Sequence, residues 1–474
     1  MKKKIILVLG PLICLFFFFS PFQFISPEAD KVIGIALWMI LWWITETVSI
    51  SVTALIPLTF FPLLGIMPMK EVAVNYGHPI IFLFFGGFVL ALALEKVNLH
   101  RRVALGIIKL TGTSANKIIL GFMLATAFLS MWISNTATTV VMLPIAYSVI
   151  ELLINDADGF TKKDRNFALS IMLGIAYSAN VGGIATLIGT PPNIVLAGFL
   201  ESEYNYNISF LKWMIVGIPF AIIMLFFIYY ILTKVMYPNN LGSFEKSQEI
   251  IDAEMKKLGK ISKSEIIVLI IFISAILLWI GKNYLNSLFP NLALSNTTVS
   301  MLAAFACFTA THNNSAILDW DDTKRLPWGI LLLFGGGLAL ASSLSNVGII
   351  DMIGAAVSNN TSLSIILVAS ILIAVVLFMT ELMSNVALIA IFAPMVAGVA
   401  LGLDMDLLHI LIPVTMASSC AFMLPMSTPP NAIVFASGHV KVAQMARAGF
   451  LLNIISIVLL ILFFQFDIPL VFSM

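Results

Sequence analysis

Two short polar sequences, SNT at residues 134–136 and TPPN at residues 190–193, decide the fold because each of them occurs twice. The first returns as SNV at residues 384–386, and the second returns unchanged at residues 428–431. All four copies lie in apolar surroundings, where polar residues and helix-breaking prolines are costly. A doubled, polar, helix-breaking signature of this kind is typical of a membrane transport site that is assembled from two repeats.

The composition places the chain in a lipid bilayer. Of its 474 residues, 60% are hydrophobic and 10% are charged, whereas about 25% of the residues of a soluble domain are charged. A helix needs about 20 apolar residues to span a bilayer, so we predict an all-α polytopic membrane protein with about 11 transmembrane helices and two re-entrant hairpins. We expect no nucleic-acid partner.

Long apolar stretches with a polar break divide the chain into two halves. Each motif lies near the middle of one such stretch, which is typical of a re-entrant hairpin or a broken helix. Apolar segments at 32–49 and 50–66 follow the first one, which resembles a signal peptide without a clean cleavage site. The predicted organisation is a first transmembrane helix at 1–30, repeat 1 at 31–235 with hairpin 117–152 and broken helix 167–200, a cytoplasmic linker at 236–263, and repeat 2 at 264–474 with hairpin 363–401 and broken helix 406–438.

The internal repeat has a constant offset over a long stretch. Adding 250 to the residue number maps Phe84 to Phe334, Ser134 to Ser384 and Pro144 to Pro394. For the TPPN motif the offset falls to 238, and the polar stretch 155–166 has the length of the difference. We therefore predict two related halves that each carry scaffold helices, one hairpin and one broken helix, with an insertion in the first.

The lysines and arginines indicate an orientation, because cytoplasmic loops are enriched in both residues. If the N-terminus is cytoplasmic and each hairpin enters and leaves on one side, all but four of the 25 lie in cytoplasmic connections. The four on the outer side are Lys31, Lys70, Lys212 and Lys282. We predict inverted repeats in the plasma (inner) membrane, with the N-terminus in the cytoplasm and the C-terminus outside.

The two motifs favour opposite charges. At a hairpin tip, serine, asparagine and threonine supply neutral oxygens beside freed backbone carbonyls, which are the ligands that hard cations such as sodium prefer. In TPPN, two prolines remove two N–H donors and interrupt the helix, and the next half-helix begins with free N–H groups that attract an anion. Each repeat therefore offers a cation site beside an anion site.

Fixed charge is scarce near the motifs. No lysine or arginine lies close to any of them in the sequence. A dianion in such a pocket would be strongly destabilised without compensation, so co-bound cations are expected to supply positive charge. Glu46 and Glu381 are the main acidic residues of the apolar segments. We predict structural roles for both, and a proton relay remains the alternative for Glu381.

The four motifs resemble those of the divalent anion/sodium symporter family, whose members carry dicarboxylates, citrate or sulfate. The longer strings MWISNTATT at residues 131–139 and TPPNAI at residues 428–433 strengthen the resemblance, which extends from residue 30 to the end of the chain. The resemblance implies a homodimer, in which each subunit has a scaffold domain and a transport domain that moves like an elevator.

The resemblance also implies particular residues for the site, with at least two sodium ions. The first sodium site would be formed by Ser130, Ser134, Asn135 and Gly189. The second would be formed by Thr380, Met383, Asn385 and Ser427, with backbone carbonyls at Met383 and Ser427. The substrate-binding residues would be Asn135, Thr136, Thr190, Pro191, Ser384, Asn385, Val386, Thr428 and Pro429. Many members have threonine where this chain has Val386, so the second carboxylate position lacks one hydroxyl group.

The predicted function is sodium-coupled symport of C4-dicarboxylates such as succinate, malate and fumarate. A dicarboxylate or 2-oxoglutarate exchanger, a proton-coupled carrier and a citrate carrier on the same fold remain alternatives. The sequence favours a sulfate or phosphate carrier less than these alternatives. Proteins usually bind tetrahedral oxyanions through arginine or lysine, and neither residue lies near the motifs.

Other functional classes fit the sequence less well. A channel needs a continuous polar pore, whereas these polar residues cluster at two predicted tips. An enzyme needs a nucleophile–base pair or a metal cluster, and no such motif is found in the sequence. The three cysteines and five histidines have no metal-ligand spacing, so we predict neither a zinc nor a haem site.

Overall fold

The computed structural model describes residues 2–20, 24–154, 160–242, 245–313, 315–358 and 364–472. Parts of the predicted features fall outside these ranges. They are residues 1 and 21–23 of the first transmembrane helix, residues 155–159 of the insertion, residues 243–244 of the linker, and residues 314, 359–363 and 473–474 of repeat 2, where residue 363 is the start of the second hairpin.

The described part of the first half is built from helices. They are α1 (Lys2–Phe19), α2 (Pro27–Thr45), α3 (Ile50–Thr53), α4 (Ile56–Leu63), α5 (Met69–Tyr76), α6 (Pro79–Lys96), α7 (Leu99–Thr111), α8 (Ala115–Ser130), α9 (Asn135–Ile154), α10 (Lys162–Ile184), α11 (Pro191–Tyr204) and α12 (Phe210–Tyr230), which continues as a π-helical segment (Ile231–Met236).

The linker and the second half are also helical. They contain α13 (Glu245–Leu258), α14 (Lys263–Leu288), α15 (Asn296–Thr309), α16 (Trp328–Asn346), α17 (Ile349–Ser358), α18 (Ile365–Thr380), α19 (Asn385–Gly402), α20 (Leu407–Ser418), α21 (Pro429–Ala436), α22 (Val442–Leu462), a π-helical segment (Phe463–Asp467) and α23 (Ile468–Phe472). A small antiparallel hairpin of β1 (Thr311–His312) and β2 (Ser315–Ala316) precedes a 3₁₀ turn (Trp320–Arg325).

The all-α membrane architecture is confirmed. Within the described residues, 7 helices are long and apolar enough to cross a membrane by length and composition. They are Met69–Lys96, Lys162–Ile184, Phe210–Met236, Lys263–Leu288, Trp328–Asn346, Asn385–Gly402 and Val442–Phe472. Shorter apolar helices, among them α8, α15, α18 and α20, supply further segments, so the helix content is consistent with the predicted number of spans.

The predicted apolar segments at 32–49 and 50–66 are less regular than their hydropathy indicates. The first becomes α2, whereas the second divides into the short helices α3 and α4. Pro57 lies in the first turn of α4 and Pro62 lies inside it, and proline removes an N–H donor from a helical ladder. The turn after α4 uses Gly65 at φ +67°, a left-handed conformation that favours glycine.

The helix boundaries follow the 250-residue offset found in the sequence. α8 and α18 begin and end 250 residues apart, and α9 and α19 both begin at the asparagine of the first motif, at Asn135 and Asn385. Phe84 and Phe334, which correspond under the same offset, contact each other with ring centroids 4.7 Å apart. Contact between equivalent residues is expected beside an axis that relates the two halves.

The centre of the molecule is α10, the first half of the first broken helix. The most apolar 18 residues of this helix are 100% buried inside the protein, whereas those of α14 are 22% buried. α10 packs against α8, α9, α12 and α21, so helices from both repeats surround it. An apolar helix enclosed in this way carries no lipid-facing surface, and its polar residues must find partners inside the protein.

The linker helix α13 packs against α7 and α9. Arg102 on α7 donates hydrogen bonds to the carbonyl oxygens of Leu258 and Gly259 at the C-terminal end of α13, at 3.2 and 3.0 Å. A cation is favoured at this end of a helix because the last carbonyl groups lack helical partners. The predicted linker thus contains a helix, α13, whose C-terminal end is held by Arg102 of α7.

Candidate functional site

The first hairpin tip is a short break between α8 and α9. Ser130 ends α8 and Asn135 begins α9, so residues 131–134 are not helical. The hydroxyl of Ser134 accepts a hydrogen bond from the N–H of Ala137 at 3.2 Å, which places it at the start of α9. Ser134 and Thr136 are exposed, whereas Ser130 is buried.

Three oxygens crowd together at this first tip. Ser130 Oγ lies 2.6 Å from Asn135 Oδ1 and 2.8 Å from the carbonyl oxygen of Ala179 on α10. A hydroxyl group has a single proton, so it can donate to only one of the two carbonyl oxygens. The tip therefore holds more oxygen lone pairs than protons, and a hard cation such as sodium satisfies such a set.

Gly189 lies beside the same oxygens. A methyl group added at Gly183 would lie 2.7 Å from Asn135 Oδ1 and 3.1 Å from the carbonyl oxygen of Gly189. Glycine at position 183 thus leaves open the space between α10, the hairpin tip and the end of the break. Of the residues predicted for the first sodium site, the structure brings Ser130, Asn135 and Gly189 together, and Ser134 lies at the exposed edge.

The second hairpin tip repeats this geometry. Thr380 Oγ1 lies 2.7 Å from Asn385 Oδ1 and 2.6 Å from the carbonyl oxygen of Ser418. Again two carbonyl oxygens face one hydroxyl proton. Thr380 is Ser130 plus 250 residues and Asn385 is Asn135 plus 250, so both repeats carry the same unbalanced cluster of oxygens.

Met383 and Ser427 are less directly connected to the second cluster. Both are buried. The hydroxyl of Ser427 donates to the carbonyl oxygen of Leu424 at 2.7 Å and accepts from Asn431 Nδ2 at 3.0 Å, inside the break of the second helix. Within the described residues, the structure brings together Thr380 and Asn385 by a side-chain contact, and Ser427 belongs to the neighbouring unwound segment.

The two helix breaks are stabilised by the asparagine of TPPN. Asn193 Nδ2 donates to the carbonyl oxygens of Gly183 and Thr186 at 3.3 and 2.8 Å. In repeat 2, Asn431 Nδ2 donates to the carbonyl oxygens 238 residues later, those of Ala421 and Leu424, both at 3.1 Å. Unwound carbonyl groups in an apolar interior need such donors. These asparagines belong to the TPPN motif, but no such role was predicted for them.

All four motifs lie at helix N-termini. α9, α11, α19 and α21 begin within or directly after their motifs. The prolines at 191 and 429 occupy the first helical position, where a missing N–H is harmless. Thr190 and Thr428 are the N-cap residues and are buried, whereas Pro429 is exposed. Each N-terminus carries about half a positive charge, so the motifs supply positive potential without a cationic side chain.

Around the site, each broken helix packs against the hairpin of the other repeat, and we call this arrangement the exchange of broken helices. α11 of repeat 1 packs against α19 of the second hairpin, and α21 of repeat 2 packs against α9 of the first hairpin. The two broken helices are therefore interleaved with the two hairpins. Ser384, Asn385 and Val386, at the start of α19, are partly exposed.

Glu381 joins the second hairpin to the unwound segment. Its carboxylate accepts hydrogen bonds from the N–H groups of residues 422, 423 and 424 at 2.8, 2.9 and 3.1 Å. Asn453 Nδ2 on α22 donates a fourth at 2.8 Å. Four donors satisfy both carboxylate oxygens, which supports the predicted structural role. In repeat 1 the corresponding link is weaker: the hydroxyl of Thr186 donates to the carbonyl oxygen of Met131 at 2.6 Å.

The site is electrically neutral apart from this carboxylate. Each hydrogen bond that the described motif residues make has a neutral partner. The ion pairs of the described residues lie elsewhere, between 95 and 109, 252 and 265, and 319 and 325.

The sequence matches the family model of the sodium:sulfate symporter transmembrane region over residues 2–473. The chain belongs to this symporter family. The protein is thus a membrane transporter and not an enzyme, and the resemblance drawn from the motifs is confirmed.

Relatives in this symporter family cover nearly the whole chain. The sodium-dependent dicarboxylate transporter SdcS of Staphylococcus saprophyticus is 39% identical over 472 residues, which is 98% of this chain and 91% of that protein. The protein of the same name from Staphylococcus aureus is 40% identical over 474 residues, with the same coverage.

Solved structures share the fold at low identity. The YdaH transporter of Alcanivorax borkumensis has a TM-score of 0.58 and 11% identity, and the match covers 98% of this chain and 99% of that one. MtrF of Neisseria gonorrhoeae has a TM-score of 0.55 and 12% identity, with 98% and 94% coverage. The fold of this symporter family member is therefore that of known polytopic transporters.

Proposed function

We propose that the chain is a sodium-coupled symporter of C4-dicarboxylates such as succinate, malate and fumarate. The observation that carries the proposal is the pair of oxygen clusters at Ser130–Asn135 and Thr380–Asn385, each with more lone pairs than protons. Each cluster lies at the N-terminus of a helix that favours anions. The names of the relatives, which are sodium-dependent dicarboxylate transporters, favour the same cargo.

Charge balance explains the coupling. A dicarboxylate carries two negative charges into a site whose described side-chain partners are neutral. Four helix N-termini place favourable potential beside the substrate but add no net charge, because each helix dipole has an equal negative end. Sodium ions in the two oxygen clusters would supply the net positive charge, so we propose at least two bound sodium ions per substrate, one in each cluster. Substrate and sodium then stabilise each other's binding by the same free energy.

The same proposal includes the position of the substrate, the ligands of the second sodium site and the assembly in the membrane. The substrate would lie between the starts of α9, α11, α19 and α21, within reach of Thr136, Thr190, Ser384 and Thr428. Met383 and Ser427 would complete the second sodium site through their carbonyl oxygens. We propose a homodimer in the plasma membrane with a cytoplasmic N-terminus, inverted repeats, and a transport domain that moves against a scaffold domain.

Uptake into proteoliposomes tests this proposal. Labelled succinate should accumulate only with an inward sodium gradient, and Asn135→Ala or Asn385→Ala should abolish accumulation, because each substitution removes a ligand from one oxygen cluster. Asn283→Ala, at an exposed position of α14 outside the clusters, serves as the control and should transport normally. Full uptake without sodium would point to an exchanger or a proton-coupled carrier. Competition by sulfate but not by succinate would reject the dicarboxylate assignment.

A further inference from the structure

Asn180 on α10 connects repeat 1 to the substrate end of repeat 2. Its side chain is 1% exposed, and Nδ2 donates to the carbonyl oxygen of Ala421 at 3.1 Å and to Thr428 Oγ1 at 3.2 Å. Its Oδ1 has no partner in the part of the chain that the structure describes. All hydrogen bonding by this amide is thus directed across the boundary between the repeats, to the unwound segment and the N-cap of α21.

The hydroxyl of Thr428 accepts two hydrogen bonds. Besides Asn180 Nδ2, the backbone N–H of Asn431 donates to Thr428 Oγ1 at 3.3 Å. A hydroxyl oxygen has two lone pairs and one proton. Both lone pairs are occupied, so the proton is left to donate to a third group. No acceptor for it is found among the described residues, and Thr428 caps the helix end where the anion is proposed to bind.

The equivalent threonine of repeat 1 is not fixed in this way. Thr190 caps α11 but makes no side-chain capping hydrogen bond, although it is as deeply buried, at 3% exposed against 4% for Thr428. Its hydroxyl can rotate and either donate or accept. The two threonines therefore differ in orientation although their motifs are identical.

We propose that Asn180 is a positioning residue, which orients the Thr428 hydroxyl as an obligatory hydrogen-bond donor to one carboxylate of the substrate. This inference rests on the proposed function. An ionised carboxylate only accepts hydrogen bonds, and its charged oxygens are stronger acceptors than the oxygens of a protonated acid or an ester. A hydroxyl held as a donor therefore selects the ionised form at this end. The Thr190 end tolerates more variation, so the two carboxylate positions are unequal.

A double-mutant cycle on the full-length protein in proteoliposomes tests the positioning role. Asn180→Ala should raise the KM for succinate by about tenfold, the scale of one hydrogen bond to a charged group, with the maximal rate within twofold. In a Thr428→Val background the same substitution should change KM less than twofold, because the hydroxyl that Asn180 orients is gone. Thr428→Ser keeps the hydroxyl and should restore the effect of Asn180→Ala.

Ser178→Ala is the matched control. Ser178 lies on the same helix, is fully buried, and its hydroxyl has no partner among the described residues. This variant should keep the wild-type KM. If Asn180→Ala does not purify as a monodisperse protein, Asn180→Ser, which retains a small polar side chain, is judged by the same criteria.

The outcomes separate the two proposals. A wild-type KM in Asn180→Ala, or an equal effect of that substitution with and without the Thr428 hydroxyl, would overturn the positioning role while leaving sodium-coupled dicarboxylate transport intact. Wild-type vesicles that accumulate no dicarboxylate would instead overturn the proposed function itself. A further expectation is that Thr428→Val raises the KM for succinate more than Thr190→Val does, and the reverse order would also contradict the inference.

Discussion

Individual residues divide into those with a sequence signal and those without one. The motif residues Asn135 and Asn385 were predicted, because a polar tripeptide repeated in apolar surroundings is conspicuous. The roles of Asn193 and Asn431 were not predicted, although both residues belong to the TPPN motif. Only the structure shows which carbonyl groups each amide satisfies. Asn180 has no local signal, because its partners are more than 240 residues away.

Glu381 gives a prediction about stability. Glu381→Gln replaces one carboxylate oxygen by an NH₂ group, which cannot accept from the N–H groups of the unwound segment. Leaving those buried donors unpaired should destabilise the protein by about 3 kcal/mol, seen as a lower thermal unfolding midpoint in detergent. Glu46→Gln is the control, because Glu46 is exposed at the end of α2, and it should leave the midpoint unchanged. An unchanged midpoint in Glu381→Gln, together with lost transport, would favour a proton relay.

Val386 gives a prediction about substrate preference. A threonine at this position would add one hydroxyl group at the start of α19, where the residue is partly exposed. Val386→Thr should change the relative preference among succinate, 2-oxoglutarate and citrate by about tenfold or less, the scale of one hydrogen bond. Competition uptake with the three anions measures it. Identical preference in both proteins would show that this position does not contact the cargo.

At the scale of helices, the sequence predicted the breaks better than the spans. Proline and polar residues at fixed positions interrupt helices for local reasons, so α9, α11, α19 and α21 begin at their motifs. The segment 50–66 was apolar enough for one span but divides into α3 and α4, because hydropathy does not register where prolines interrupt the ladder. The order of the linker helix α13 depends on contacts with α7, which no local pattern contains.

The attachment of α13 should be electrostatic. Lys109 on α7 lies 2.7 Å from Asp252, and Arg101 pairs with Glu254, which also accepts from Lys257 at 2.5 Å. The double variant Asp252→Asn and Glu254→Gln should release the helix and speed amide hydrogen exchange across residues 249–258 by about tenfold, because surface pairs contribute up to about 1 kcal/mol each. Unchanged exchange would show that these ion pairs do not hold α13, which would leave its attachment to the hydrogen bonds from Arg102 and to apolar contacts.

The pH dependence of this attachment has a definite sign. The hydrogen bond from Lys257, followed by the charge of Arg101, keeps the pKa of Glu254 below its usual value, although partial burial opposes this. A carboxylate whose pKa is lowered by folding contributes stability above its ordinary pKa and loses it as the pH falls through the lowered one. The protection of α13 should therefore persist at neutral pH and fall only in acid.

The whole molecule combines an internal repeat with the packing of each broken helix against the other repeat. Only the repeat could be predicted from the sequence. The repeat was visible because the offset of 250 recurs over many positions. The exchange of broken helices between repeats, α11 against α19 and α21 against α9, was not visible, since cross-repeat packing leaves no periodic pattern. That exchange packs each broken helix against the hairpin of the other repeat, and under the proposed function it would make sodium and substrate binding interdependent.

The sodium dependence of substrate affinity tests most directly whether sodium ions offset the charge of the substrate. Isothermal titration of purified protein with succinate at increasing sodium concentration, with choline keeping the ionic strength constant, measures the linkage between cation and anion. We predict that the Kd for succinate falls as the sodium concentration rises, and that the slope of log Kd against log sodium concentration approaches −2 or steeper at low sodium. A Kd for succinate that does not change with sodium would contradict a site in which sodium ions offset the charge of the cargo.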